Sequence, residues 1–126
     1  MKIEHVALWT TDLERSRNFY QTYFSATANG KYINEKKQFE SYFLTFASGA
    51  RLELMSKPNL VETLSERLVG WAHIAISLGS REAVRTLTSQ IEADGYTVAS
   101  QPRVTGDGYY ESVVLDPDGN QIELTV

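Results

Sequence analysis

Two stretches, about residues 2 to 10 and 71 to 79, alternate in character, with Val6 and Leu8 on one parity of the first and Ile74, Ile76 and Leu78 on one parity of the second. That alternation is the signature of a strand, because successive side chains of extended backbone point to opposite faces. Behind each stretch the period lengthens. Leu13, Ser16, Phe19 or Tyr20, and Tyr23 or Phe24 recur at helical spacing after Thr11 or Asp12, either of which can cap a first helix. Val84, Leu87 and Ile91 form the apolar stripe of a second helix, with Ser80 as its cap and Gly95 as its stop. Shorter strand patterns follow: roughly 28 to 33, 39 to 47 and 50 to 56 in the first half, then 96 to 99, 109 to 116 and 120 to 126 in the second. Ala47-Ser48-Gly49-Ala50 and Asp116-Pro117-Asp118-Gly119 supply the turns between the last two strands of each half. Gly106-Asp107-Gly108 reads as one more turn.

The two halves are copies of one plan. Glu4-His5-Val6-Ala7-Leu8 recurs as Ala72-His73-Ile74-Ala75-Ile76, 68 residues on, and Arg51-Leu52-Glu53-Leu54 recurs as Gln121-Ile122-Glu123-Leu124, 70 residues on. The expected fold is therefore α+β: two tandem β-α-β-β-β modules, 1–57 and 70–126, joined by a connector 58–69, together making a single domain 1–126. Within the connector, Leu60, Leu64 and Leu68 predict a short helix over 59–68.

Strand parity assigns the faces. Val6 and Leu8, Leu52 and Leu54, Ile74 with Ile76 and Leu78, and Ile122 with Leu124 and Val126 make one aliphatic face, which should take the helices. The opposite face carries His5, Ala7 and Trp9; Arg51, Glu53 and Met55; Trp71, His73, Ala75 and Ser77; and Gln121, Glu123 and Thr125. The expectation is a curved sheet with the helices on its outer face and a polar, partly aromatic floor on the other.

Composition narrows the chemistry. The 126 residues are 42% apolar and 22% charged, in the range of one compact domain. A net charge of −4 argues against nucleic acid as a partner. Without cysteine there is no disulfide, thiolate catalysis or Cys-rich zinc site, so any reaction must use oxygen and imidazole. No apolar run approaches the ~18 residues of a membrane span, and no apolar signal core opens the chain, so a cytoplasmic location without membrane attachment is expected. Phosphate-cradling glycine motifs and a G-x-S-x-G elbow are both absent from the sequence.

His5 and His73, the two histidines of the chain, share one register of the repeat; Glu53 and Glu123 share another. All four have the parity opposite the aliphatic face. Two imidazoles and two carboxylates suit one divalent ion of intermediate hardness, Zn, Ni, Co, Mn or Fe, with positions left over for a substrate's oxygens. Taken singly, each would read as an ordinary strand residue; their joint register singles them out.

The opening His5-Val6-Ala7-Leu8 with Asp12-Leu13-Glu14-Arg15-Ser16 and Phe19-Tyr20, the second Gly70-Trp71-Ala72-His73-Ile74-Ala75, and the closing Asp116-Pro117-Asp118-Gly119-Asn120-Gln121-Ile122-Glu123-Leu124 resemble the vicinal oxygen chelate superfamily of glyoxalases, bleomycin-resistance proteins and ring-cleaving dioxygenases. The resemblance spans the whole chain. It implies a lactoylglutathione lyase-like ligand order, His5, Glu53, His73, Glu123, and a lyase or isomerase that works on a small vicinal-oxygen substrate through an enediolate. Glu123 is the first choice of base and Glu53 the second, while Trp9, Met55 and Trp71 would line the substrate pocket. Trp9 and Lys57 stand where small bacterial relatives carry an arginine and an asparagine that contact glutathione, which argues against glutathione itself. The resemblance also implies a homodimer, in which partner subunits cover the edges that the opening and last strands of each module would leave. Two alternatives remain open: an Fe(II) extradiol-type dioxygenase, and a metal-free ligand-sequestering protein of the bleomycin-resistance kind.

Overall fold

The computed structural model describes residues 3–60, 70–106 and 108–126. It divides into two compact units, Met1–Thr63 and Leu64–Val126. Among the described residues there are two α-helices and nine strands in two mixed sheets, an α+β fold.

In the first unit β1 (His5–Trp9) leads to α1 (Leu13–Phe24), then β2 (Thr27–Ala28), β3 (Tyr32–Asn34), a single 3₁₀ turn (Glu35–Lys37), β4 (Phe39–Thr45) and β5 (Arg51–Ser56). Of the two capping candidates Asp12 is the cap: its carboxylate accepts from the backbone N–H of Arg15 at 3.0 Å, and Glu14 adds negative charge to the first turn. The helix ends where Ser25 turns left-handed at φ 52 and its N–H reaches the Tyr20 carbonyl. Leu13, Phe19 and Tyr20 are buried on α1, which packs on β4 and β5, where Tyr42, Leu44, Leu52 and Leu54 are buried in turn. Ser16 shares this buried face without an unmet polar group, since its hydroxyl lies 2.7 Å from that of Thr10.

The sheet order is β1-β5-β4-β2, with β3 also paired to β4; β1 runs parallel to β5 and the other pairs are antiparallel. The strand expected over 28 to 33 is two strands. Thr27 and Ala28 pair with Thr45 and Leu44, but Tyr32, Ile33 and Asn34 pair with Ser41, Glu40 and Phe39, a register one residue out of step. The chain bulges between them, and the Asn29 side chain accepts from the Phe43 N–H at 2.8 Å to cover the break.

The second unit repeats the plan with β6 (His73–Ser77), α2 (Arg81–Ala93), β7 (Val98–Val104), β8 (Tyr110–Leu115) and β9 (Gln121–Thr125), in the order β6-β9-β8-β7. Ser80 caps α2 by accepting from Ala83 N–H at 3.1 Å, and Gly95 leaves it at φ +89, a conformation that favours glycine. Val84, Thr88 and Ile91 are buried against the sheet with Val114, Ile122 and Leu124; Leu87 of the expected stripe is only half-buried. The Thr88 hydroxyl meets that of Ser112 at 2.6 Å, so both buried hydroxyls between α2 and β8 are satisfied.

The strand expected over 96 to 99 starts later and runs further, through Pro102. That is possible because β7 is the edge of its sheet and its register slips between Val98 and Ser100 and between Ser100 and Arg103, so the missing N–H of Pro102 breaks no regular ladder. Of the strands expected to end each sheet, only the opening ones do: β1 and β6 are edges, whereas β5 and β9 are paired on both sides. In the turn between β8 and β9, Asp116 accepts from the backbone of Asp118 and Asn120 at 3.0 and 2.8 Å, while Gly119 takes φ +84. Gly108 closes the expected 106–108 turn by donating to the Thr105 carbonyl at 3.0 Å; Asp107 lies outside the described residues, as do 61–69 and with them most of the connector helix expected over 59–68. Neither described helix is long and apolar enough to cross a membrane.

Candidate functional site

Parallel pairing of the first and last strand of each unit sets the candidate residues side by side. In the first unit Ala7 lies opposite Glu53 and His5 opposite Arg51, so His5 and Glu53 are diagonal neighbours on one face. In the second, Ala75 lies opposite Glu123 and His73 opposite Gln121, the same diagonal. The small Ala7 and Ala75 leave space beside each carboxylate. The resulting distances are 3.9 Å from His5 Nε2 to Glu53 Oε2 and 3.2 Å from His73 Nε2 to Glu123 Oε2. Both imidazoles are about 40% exposed, and the carboxylates beside them only 16% and 21%. Each pair is thus half-sheltered with its Nε2 turned towards an oxygen.

Two donors held by one ion at about 2.1 Å and at a right angle stand about 3 Å apart. The second pair is close to that spacing, and the first comes within it by a small side-chain movement. Nitrogen and oxygen donors of this kind fit an ion of intermediate hardness. Among the described residues no group of three His, Asp or Glu side chains is placed to hold a metal ion, and each unit by itself brings two of the expected four ligands together.

Around the first pair lie residues that strand parity in β4 would have revealed. Phe43 pairs with Glu53 and sets its ring edge-on to His5 at 5.3 Å, and the Arg51 guanidinium stacks over Phe43 at 4.2 Å. Glu4 bridges His5 and Arg51. One of its carboxylate oxygens is 2.6 Å from His5 Nδ1, and the other accepts from Arg51 Nε and Nη2 at 2.8 and 2.6 Å. The hydrogen bond with His5, then that with Arg51, holds the Glu4 carboxyl below its ordinary range. In the second unit Val113, paired with Glu123, occupies the place of Phe43.

At the far end of the first unit's floor, Trp9 pairs with Met55 and meets Phe39 edge-on at 6.2 Å; Tyr32 meets the other side of the cluster 6.1 Å from Phe39. Lys57 places its ammonium 4.5 Å over the Trp9 ring. Beside this cluster a cleft of about 510 Å³ is lined by Ile33, Asn34, Phe39, Ser56, Lys57 and Pro58 among others, but by neither His5 nor Glu53. Neither Trp9 nor Met55, the residues expected in a pocket wall, lines this cleft; Phe39, which Trp9 meets edge-on, does. Trp71 is 92% exposed just ahead of β6.

Comparison with known proteins places the chain in a family. The model of the Glyoxalase/Bleomycin resistance protein/Dioxygenase superfamily matches residues 2–124, and the chain belongs to that superfamily. It is 28% identical to the Bacillus subtilis (strain 168) protein named "Uncharacterized protein YqjT", over 97% of this chain and 96% of that one. Among solved structures, the trypanothione-dependent glyoxalase I of Leishmania major superposes with a TM-score of 0.80 at 23% identity, covering 99% of this chain and 86% of that one. A V278E mutant of Zea mays glyoxalase I gives the same score and identity over 98% of this chain; the chain spans only 44% of the maize enzyme. At these identities the structural likeness speaks for the fold alone.

Proposed function

We infer that the protein is a glyoxalase-like metalloenzyme, a lyase or isomerase of a small vicinal-oxygen substrate, and that His5, Glu53, His73 and Glu123 are the ligands of one divalent ion. The observation that carries this reading is the recurrence of the same His–Glu diagonal, with Nε2 towards a carboxylate, at equivalent registers of two halves that share little else on that face. A bound ion of this class would supply Lewis-acid polarisation of paired substrate oxygens.

The chain's own groups account for the rest. A proton leaves the carbon next to the substrate carbonyl for the Glu123 carboxylate and returns from it to the neighbouring carbon, so the reaction is an internal redox shift with no outside reductant. Glu53, its repeat counterpart, is the alternative base. The partial burial of both carboxylates limits competition from water. Trp9, Met55 and Trp71, with Phe39, would hold the apolar part of the substrate. His5→Ala and His73→Ala should each lose most bound metal, by elemental analysis, while far-UV circular dichroism stays unchanged; full metal content in both variants would remove the site. Once 2-oxoaldehydes with several thiols have been screened for turnover, Glu123→Gln should lower kcat far more than it changes KM. Full activity in that variant would move the base role to Glu53.

The aromatic cluster and cleft of the first unit support a second reading, a protein that sequesters a flat apolar ligand without metal. Tight binding of such a ligand to metal-free protein, with no metal taken up from Zn²⁺, Ni²⁺ or Fe²⁺ solutions, would favour it. Iron uptake with oxygen consumption would favour the dioxygenase instead. We infer a homodimer too, because β1 and β6 leave unpaired backbone groups at the edge of their own sheets, and a partner subunit is the simplest cover for them.

A further inference from the structure

We propose that Glu4, itself held by Arg51, is a positioning residue that pre-sets His5 as a ligand, and that the two histidines of the repeat are therefore not equivalent: His5 is poised before the ion arrives and His73 is not. The proposal rests on the ligand assignment made above and goes beyond it.

An imidazole that binds a metal through Nε2 must carry its proton on Nδ1. At 2.6 Å from Nδ1, the Glu4 carboxylate can only accept, so the Nδ1 proton is donated to it and the Nε2 lone pair is left on the side of Glu53. Glu4 is kept in place from two directions. Its carboxylate takes the two Arg51 contacts at 2.8 and 2.6 Å, and its backbone carbonyl accepts from Arg51 N–H at 3.0 Å. Phe43, between the guanidinium above its face and the His5 ring at its edge, limits rotation of both. Exposure weakens any one of these charge contacts in water, but the ring orientation is fixed by several at once.

Among the described residues the second half shows no such device. Glu4 is replaced by Ala72 and Arg51 by Gln121 in the repeat, so no carboxylate from those positions can reach His73 Nδ1. The Glu123 carboxylate instead lies 3.2 Å from Nε2, where it favours the proton on the nitrogen that must be bare to bind a metal. His73 must change tautomer on loading; His5 need not. A carboxylate behind a ligating histidine is commonly worth roughly 10–100-fold in metal affinity.

The test uses metal-free protein labelled with ¹⁵N at histidine and long-range ¹H–¹⁵N NMR at a pH where both rings are neutral, with the His73→Ala variant assigning the signals. The wild type should show His5 protonated at Nδ1 and His73 protonated at Nε2. Glu4→Ala should move the His5 proton to Nε2 and leave the His73 signals in place, while Glu4→Gln, whose amide oxygen still accepts, should restore the Nδ1 form. Zn²⁺ affinity, measured by competition with a chromophoric chelator, should fall roughly 10–100-fold in Glu4→Ala and recover in part in Glu4→Gln. An unchanged His5 tautomer in Glu4→Ala, or identical tautomers for the two histidines in the wild type, overturns the proposal. His5→Ala in the same titration separates the two levels. If it binds Zn²⁺ as the wild type does, the ligand assignment itself fails and the positioning role falls with it; if it loses Zn²⁺ but Glu4→Ala does not, only the positioning role fails.

Discussion

Ile122 and Leu124 are fully buried, whereas Val6, Leu8, Ile74 and Ile76, which share their parity, are only half-buried. The difference comes from position: β9 lies between two strands and beneath α2, while β1 and β6 sit at the edges of their sheets. Truncation costs should follow burial rather than hydrophobicity. Ile122→Ala should lose about 2–5 kcal/mol through transfer and cavity terms, and Ile74→Ala clearly less, both read from urea unfolding. Trp71→Ala should stay within about 0.5 kcal/mol despite the size of the ring, because so little of it is covered. Equal losses at residues 74 and 122 would contradict the burial seen here.

The link between α1 and the strands of the first unit has a charged component whose sign can be worked out. Desolvation works against the Glu14 charge, but the Tyr42 hydroxyl at 3.0 Å, Lys31 at 3.3 Å and Arg17 at 3.0 Å outweigh it and hold the Glu14 carboxyl below its ordinary value of 4.5. Lys31 is shared with Glu40 at 2.8 Å, and the Arg17 guanidinium also donates to the Tyr42 hydroxyl and lies over its ring. A carboxyl with a depressed folded-state pKa stabilises fully above its unfolded value, and the contribution disappears as pH falls through the lower folded value. Wild type should therefore have a higher urea midpoint than Glu14→Gln at pH 7, and the gap should narrow below about pH 4.5. A gap that is constant with pH would mean that packing of the side chain, rather than its charge, joins α1 to β4. The cap of α2 was legible in the chain itself, since Ser80 acts on the N–H three residues ahead, whereas that of α1 was narrowed only to Thr11 or Asp12, of which the structure uses Asp12. The break between β2 and β3 was not, because an extra residue shows only against the partner strand.

For the whole molecule, the inferred dimer and the inferred ligand set meet in one experiment. If each ion takes His5 and Glu53 from one subunit and His73 and Glu123 from the other, a heterodimer of His5→Ala and His73→Ala chains has one site with both lesions and one with none. After subunit exchange the mixture should bind more metal than either variant alone; no gain would mean that each chain supplies all its own ligands. By itself, the sequence determined the duplication, the α+β plan of each half, the Ser80 cap of the second helix, and the face on which His5, Glu53, His73 and Glu123 lie. Those features repeat with the geometry of the backbone, which is local: a period of two for strands and 3.6 for helices. Tertiary structure alone decided which strand lies beside which. That choice placed the last strand of each half next to the first, set each histidine diagonal to its glutamate, and brought Arg51 to Glu4 from 47 residues away. Pairing partners and register are non-local, and no period along the chain records them.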